Sequence, residues 1–172
     1  MRGSVFVGTS LDGFIARPDG GLDFLPDDPE PHGFEEFLAS VDALVMGRKT
    51  YDFVAGSGTW FYGEKPVFVV SPRSLEAPPA GAIVERVAGS PGEIARALAA
   101  RGVRDAYVDG GSVVQQFLRA GLVRRLIITR VPVLIGSGIP LFGDLERDVV
   151  LRHVATREFP SGLVQSEYEV AG

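Results

Sequence analysis

Residues 105–118, DAYVDGGSVVQQFL, carry an apolar run into Asp109-Gly110-Gly111-Ser112, and a helical pattern follows at once. Glycines remove side chains where a backbone must turn tightly or approach something closely, and a serine oxygen can cap a helix. The stretch therefore reads as strand, turn and helix. The turn itself has two readings. Either the glycines only let the chain pass from a strand into a capped helix, or the backbone is bare so that a phosphate can lie on it. The full G-x-G-x-x-G spacing of a Rossmann domain is missing.

Outward from this unit, short β-rich runs alternate with helical patterns. Strands are expected at 4–10 (SVFVGTS), 43–47 (ALVMG), 66–71 (PVFVVS) and 82–88 (AIVERVA), and a long β run at 124–136. Helices are expected at 34–41, from Arg48 onward, at 90–102 and from Ser112 onward. The segment 90–102 has the fullest helix grammar: Ser90 as N-cap, Pro91 first, Glu93 three after the cap and Gly102 as terminator. Two β runs flanking Pro160-Ser161-Gly162 read as a closing antiparallel hairpin. Such alternation predicts one α/β domain over residues 1–172, with a mostly parallel sheet covered on both faces.

Composition narrows the function. The chain has 172 residues, 45% hydrophobic and 23% charged, an ordinary globular balance. A net charge of −5 argues against sequence-independent nucleic-acid binding, which needs a basic face. No cysteine is present, so disulfides, thiolate metal sites and a cysteine nucleophile are excluded, and His32 and His153 are too isolated to form a metal cluster. No apolar run reaches membrane-spanning length, and residues 1–13 lack a signal-peptide core. A soluble, cytoplasmic protein is the expectation.

In open α/β sheets ligands bind beyond the carboxyl ends of the strands. Three such turns carry phosphate-friendly chemistry. At VMGRKTYD (45–52) a strand ends at Gly47 and a helix opens with Arg48 and Lys49, cations that the helix dipole disfavours at that end. At VVSPRS (69–74) a strand ends in Ser71 and Arg73, a hydroxyl and a guanidinium suited to an anion. The third is DGGS. Each has a plain structural reading, as a solvated pair, an exposed turn or a helix cap; their joint occurrence favours a ligand. Asp27, Asp28, Glu30, Glu35 and Glu36 read as solvated charge, the 59–63 aromatic segment as an anchoring loop, and Asp12-Gly13 as a turn or a loop over a ligand.

In order, VFVGTSLDGFIA, ALVMGRKTYD, VFVVSP, YVDGGSVVQQFL and LIITRVPVLIGSGIPLF resemble the dihydrofolate reductase superfamily, over residues 4 to about 170. The resemblance is greater to its branch of riboflavin-biosynthesis reductase domains and their free-standing relatives. It implies a three-layer fold with a mostly parallel sheet of about eight strands, and an NADPH site. Gly8 and Ile15 would approach the nicotinamide, and Gly47, Arg48, Lys49 and Thr50 would form a phosphate-binding helix start. Ser71 and Arg73, with Arg48, would face the adenosine 2′-phosphate, while Gly110, Gly111, Ser112 and Val113 would cradle the pyrophosphate. Asp12, Asp109, Thr50, Val108 and Thr129 are candidates to face substrate, with Asp109 and Asp12 as the catalytic pair and Asp109 handling a proton.

The implied reaction is hydride transfer to a C=N or C=O carbon, in the riboflavin branch of 5-amino-6-(5-phosphoribosylamino)uracil, by a homodimer. The chain departs from both branches. Gly33 and Phe34 stand where dihydrofolate reductases place an acidic residue. Asp109 replaces the glutamate common in riboflavin-pathway reductases, and Arg124-Arg125 replaces an acidic pair. Reduction of another small heterocycle or carbonyl, dihydrofolate included, and NADPH binding without catalysis are the alternatives.

Overall fold

The computed structural model describes residues 1–27, 30 and 32–171. Asp28, expected as solvated charge, lies outside them. Among the described residues the strands are β1 (Arg2–Ser10), β2 (Phe14–Ala16), β3 (Ala43–Gly47), β4 (Val67–Val70), β5 (Val84–Val87), β6 (Asp105–Asp109), β7 (Val123–Val131), β8 (Ile139–Pro140), β9 (Leu151–Glu158) and β10 (Val164–Val170). The helices are α1 (Phe34–Ala39), α2 (Arg48–Gly56), α3 (Pro91–Ala100) and α4 (Gly111–Arg119).

Eight strands form one sheet in the order β5-β4-β3-β6-β1-β7-β10-β9. The pairs from β5 to β7 are parallel, and β10 pairs antiparallel with both β7 and β9. Central strands have no solvent face, so they read as continuous apolar runs: Ala43, Leu44, Val45 and Met46 are all fully buried. Side chains alternate between two cores. On one face Val5, Val45, Val108 and Leu126 pack under Ile94 and Leu98 of α3 and Val114 and Phe117 of α4. On the other Leu44, Met46, Tyr107 and Ile127 pack under Phe37 of α1 and Tyr51 of α2. This is the three-layer dihydrofolate reductase-like fold expected. At the far edge, every residue of β9 is exposed.

Helix α3 keeps its expected grammar. The Ser90 hydroxyl accepts from the Glu93 amide, and a Glu93 carboxylate oxygen accepts from the Ser90 amide at 2.8 Å. Three expectations need correction. Strand β7 ends at Val131, because Pro132 cannot continue the ladder, and the 132–138 segment instead leads into β8. Strand β8 pairs with β2 as a separate two-stranded ribbon with no counterpart in the sequence reading. Helix α4 starts before Ser112: Gly110, at φ 87°, is the N-cap, and the Ser112 hydroxyl accepts from the Gln116 side chain at 3.1 Å.

The ribbon explains Gly111. A Cβ there would meet the Pro140 carbonyl oxygen at 3.0 Å and the Ile15 side chain at 3.1 Å, so only glycine lets β2 and β8 close over the start of α4. Gly56, at the end of α2, has nothing within 4 Å of such a Cβ. Gly111→Ala is therefore expected to cost about 1–3 kcal/mol through overpacking. Gly56→Ala is expected to add about 0.4–1 kcal/mol by restricting the unfolded chain. Urea denaturation of the two variants checks both, and equal effects would contradict the packing assigned to Gly111.

Candidate active site

The site grows from the register of two parallel strands. Met46 of β3 lies opposite Asp109 of β6, so the turns leading into α2 and α4 emerge side by side. They pack tightly: a Cβ on Gly110 would collide with the Thr50 hydroxyl, and one on Gly47 would meet the Val113 side chain at 3.3 Å. A helix leaves its first amides without intrahelical acceptors. Here neither N-cap residue supplies a side chain to accept from them, and neither first turn holds an acidic residue. Two helix starts, both bare of side-chain acceptors, thus share one place at the sheet's carboxyl edge. Such a place favours an anion.

Its cations divide into committed and free. The Arg48 guanidinium grips both Asp52 carboxylate oxygens, at 2.7 and 2.9 Å, and donates to the Ser74 carbonyl at 2.9 Å. Lys49 and Arg73 are exposed and engage no partner among the described residues. They line, with Arg48, Asp52 and Leu75, a cleft of about 440 Å³ between α2 and the turn after β4. Ser71 does not join them as expected. It is 2% exposed, and its hydroxyl donates to the Arg73 carbonyl at 2.8 Å and accepts from the Arg73 amide at 3.1 Å. The hydroxyl closes its own turn.

Asp109 ends β6 on the α1/α2 face. Its carboxylate accepts from the Gly110 amide at 2.8 Å and lies within hydrogen-bonding reach of the Tyr107 hydroxyl, whose one proton can go either to it or to the Phe6 carbonyl at 2.9 Å. Burial pushes its pKa up to about 6, outweighing these two bonds, which act the other way. The same burial raises Tyr62 and Tyr107, with the Asp109 charge adding to both. Asp109 is thus a carboxyl that can hold or release a proton near neutrality.

The remaining candidates are scattered. Asp12 is exposed; its carboxylate accepts from the Gly136 amide at 2.8 Å and the Ile135 amide at 3.2 Å, clasping two loops. These bonds and the Ser10 hydroxyl, the largest influence, hold its pKa below the usual carboxylate range. Ile15 lies against Gly111, and Leu25 overhangs Gly8, with a methyl 3.0 Å from where a Cβ would be. Thr129 is buried beside Gly8 in register and accepts from Gln165 at 2.9 Å. Val108, expected to face substrate, is fully buried in the core beneath α4: strand alternation turns it away from the Asp109 face. Asp27, Glu30, Glu35 and Glu36 are exposed, as expected. Among the described residues no cluster of potential metal ligands occurs, and no helix is long and apolar enough to cross a membrane.

Sequence reasoning missed Tyr107, Tyr62, Leu25 and Gln165. Tyr107 was findable, since it stands two residues before Asp109 in a strand and so shares its face. Gln165 was not, because only the pairing of β10 with β7 brings it to Thr129.

Comparison with known proteins places this geometry. The chain is 33% identical over 160 residues to the uncharacterized protein YwjB of Bacillus subtilis (strain 168), with 90% of each chain covered. It superposes on a candidate riboflavin biosynthesis protein from Shewanella sp. PV-4 with a TM-score of 0.91 and 37% identity over the full length of both. At the level of fold alone, it matches dihydrofolate reductase from Enterococcus faecalis, solved with NADP(H), with a TM-score of 0.65 at 13% identity, covering 99% of this chain and 97% of that one. The model of the RibD C-terminal domain matches residues 4–165, and the chain belongs to that family of reductase domains.

Proposed function

We propose that the protein is an NADPH-dependent reductase of a small heterocycle, with 5-amino-6-(5-phosphoribosylamino)uracil as the leading candidate substrate. One observation carries the reading: two helix starts without side-chain caps are packed together beside unpaired Lys49 and Arg73, with the Asp109 carboxyl at their edge. The residues fit a phosphorylated dinucleotide, since two uncapped helix starts and the cationic cleft beside them match its several anionic groups. The NADP(H) of the Enterococcus faecalis enzyme and the riboflavin assignment of the Shewanella protein support the same reading.

In this scheme the backbone at Gly47, Lys49, Thr50, Gly111, Ser112 and Val113 binds the pyrophosphate, while the Gly110 amide stays with the Asp109 carboxylate. Lys49 and Arg73 meet the adenosine 2′-phosphate, while Arg48 orders the cleft through Asp52 and Ser74. Gly8 and Ile15 border the nicotinamide. When bound, the cofactor supplies the hydride. The Asp109 carboxyl, protonated, gives the proton to the substrate, and Tyr107 holds that carboxyl in place. Asp12 acts by fixing the loops of the β2–β8 ribbon rather than by touching substrate. A homodimer belongs to the same reading, and the apolar side chains at Val150, Leu151 and Val154 along the exposed β9 edge give it a surface.

Three outcomes test this reading. Lys49→Ala with Arg73→Ala is expected to weaken NADPH by about 10–100-fold, the loss of charge-assisted bonds, and NADH far less; equal losses in fluorescence titration would remove the 2′-phosphate assignment. With Asp109 as acid, kcat/KM is expected to fall as pH rises above about 6. Asp109→Asn is expected to abolish that inflection and lower turnover while sparing NADPH binding, and a full-rate variant would remove Asp109 from catalysis. Linkage gives a check free of activity. The folded-state pKa of about 6 stands above the ordinary 3.8, so the protonated carboxyl's stability is present below 3.8 and lost as pH rises through 6. Asp109→Asn is accordingly expected to raise Tm at alkaline pH, with a gain that shrinks toward pH 4; no gain above neutrality would contradict the buried-carboxyl picture.

A further inference from the structure

Gly8, Thr129 and Gln165 form one row across β1, β7 and β10, with side chains on the α1/α2 face that also holds Phe6, Tyr107 and Asp109. Neighbouring strands lie about 4.8 Å apart, so the row runs outward from the Gly8 backbone in two short steps. Gln165 is 6% exposed and Thr129 8% exposed. The Gln165 amide nitrogen donates to the Thr129 hydroxyl oxygen at 2.9 Å and to the His32 carbonyl at 3.0 Å. A carbonyl can only accept, so the second bond settles which end of the amide is nitrogen.

That orientation has two consequences. The Gln165 carbonyl oxygen, Oε1, receives no donor from the described residues and is not sealed from solvent. Gln165 is thus a mostly buried side chain whose one unengaged atom is an acceptor open to an incoming donor. The Thr129 oxygen already accepts, so its own proton remains to be donated. The pair therefore offers one acceptor and one donor side by side, one strand away from Gly8, and a ring entering there packs against the Leu25 side chain that overhangs the glycine. Phe34 and Phe6, with ring centroids 5.5 Å apart, supply aromatic surface on the same face.

We propose that Gln165 is a specificity-determining residue: its Oε1 accepts from a ring N–H of the substrate while the Thr129 hydroxyl donates to the adjacent ring acceptor. The complementary partner is a neutral lactam or imide edge, in which N–H neighbours C=O. A cationic amidinium edge is disfavoured, because Gln165 brings no charge to balance it. This rests on the reading that the hydride acceptor docks beside Gly8, and it adds which edge of that molecule is read and by which side chain.

Calorimetric titration with 5,6-diaminouracil and with its 1,3-dimethyl derivative, with and without NADP+, tests it, because dimethylation removes both ring N–H groups. Wild type is expected to prefer the parent by roughly tenfold or more. Gln165→Met is expected to lower the parent to the level of the derivative, with NADP+ affinity unchanged. Gln165→Glu restores an acceptor with a charge and is expected to gain affinity for 2,4-diaminopyrimidine, a response that a purely structural glutamine would not give; it also stands in should the Met variant fail to fold. A wild type that binds NADP+ without preferring the parent, or a Gln165→Met that keeps the preference, overturns the inference alone. Failure to bind NADP+ overturns the cofactor reading, while the pyrimidine comparison still decides the role of Gln165.

Discussion

Met46 and Asp109 face each other across the β3–β6 ladder, and the rest of the site follows from that parallel pairing. Parallel strands send their helices off at the same end, so α2 and α4 begin together. The Thr50 hydroxyl then occupies the space beside Gly110 that a side chain would need. Gly110 also holds φ at 87°, a region closed to most residues. One register thus sets the backbone conformation, the close packing of two turns and the convergence of their amides. The β2–β8 ribbon closes the same place from the side by resting on Gly111.

Charge is arranged around this junction with economy. Arg48 is neutralised within its own helix by Asp52, which leaves Lys49 and Arg73 as the cations facing outward. At the other end of the junction Asp109 is desolvated enough to sit near pH 6. Two uncapped helix starts, a place that favours an anion, and a carboxyl that titrates near neutrality therefore lie at the ends of neighbouring strands. Beyond them the α1/α2 face of the sheet changes character, from carboxyl and tyrosine at β6 to the uncharged Thr129–Gln165 pair at β7 and β10.

Most of the fold was legible because buried parallel strands leave unbroken apolar runs such as ALVM and VFVV, and α3 is written in cap, proline and terminator. What escaped had physical reasons. Strands β2 and β8 have three and two residues, too few for any periodicity. Ser112 looked like a cap because serine usually is one, but the positive φ of Gly110 started the helix earlier. Ser71 read as a ligand because its burial was not visible. Val108 was a misreading rather than missing information, since alternation alone sets it opposite Asp109. Gln165 depends on a strand pairing between distant segments, which no local pattern encodes.

Amide hydrogen exchange followed by NMR, with and without NADP+, addresses the junction most directly. Slowed exchange concentrated at Lys49, Thr50, Ser112 and Val113 on adding NADP+ is the result expected if the two helix starts hold the pyrophosphate. Unchanged exchange at these amides, with NADP+ bound or with protection confined to another part of the sheet, would contradict the central assignment.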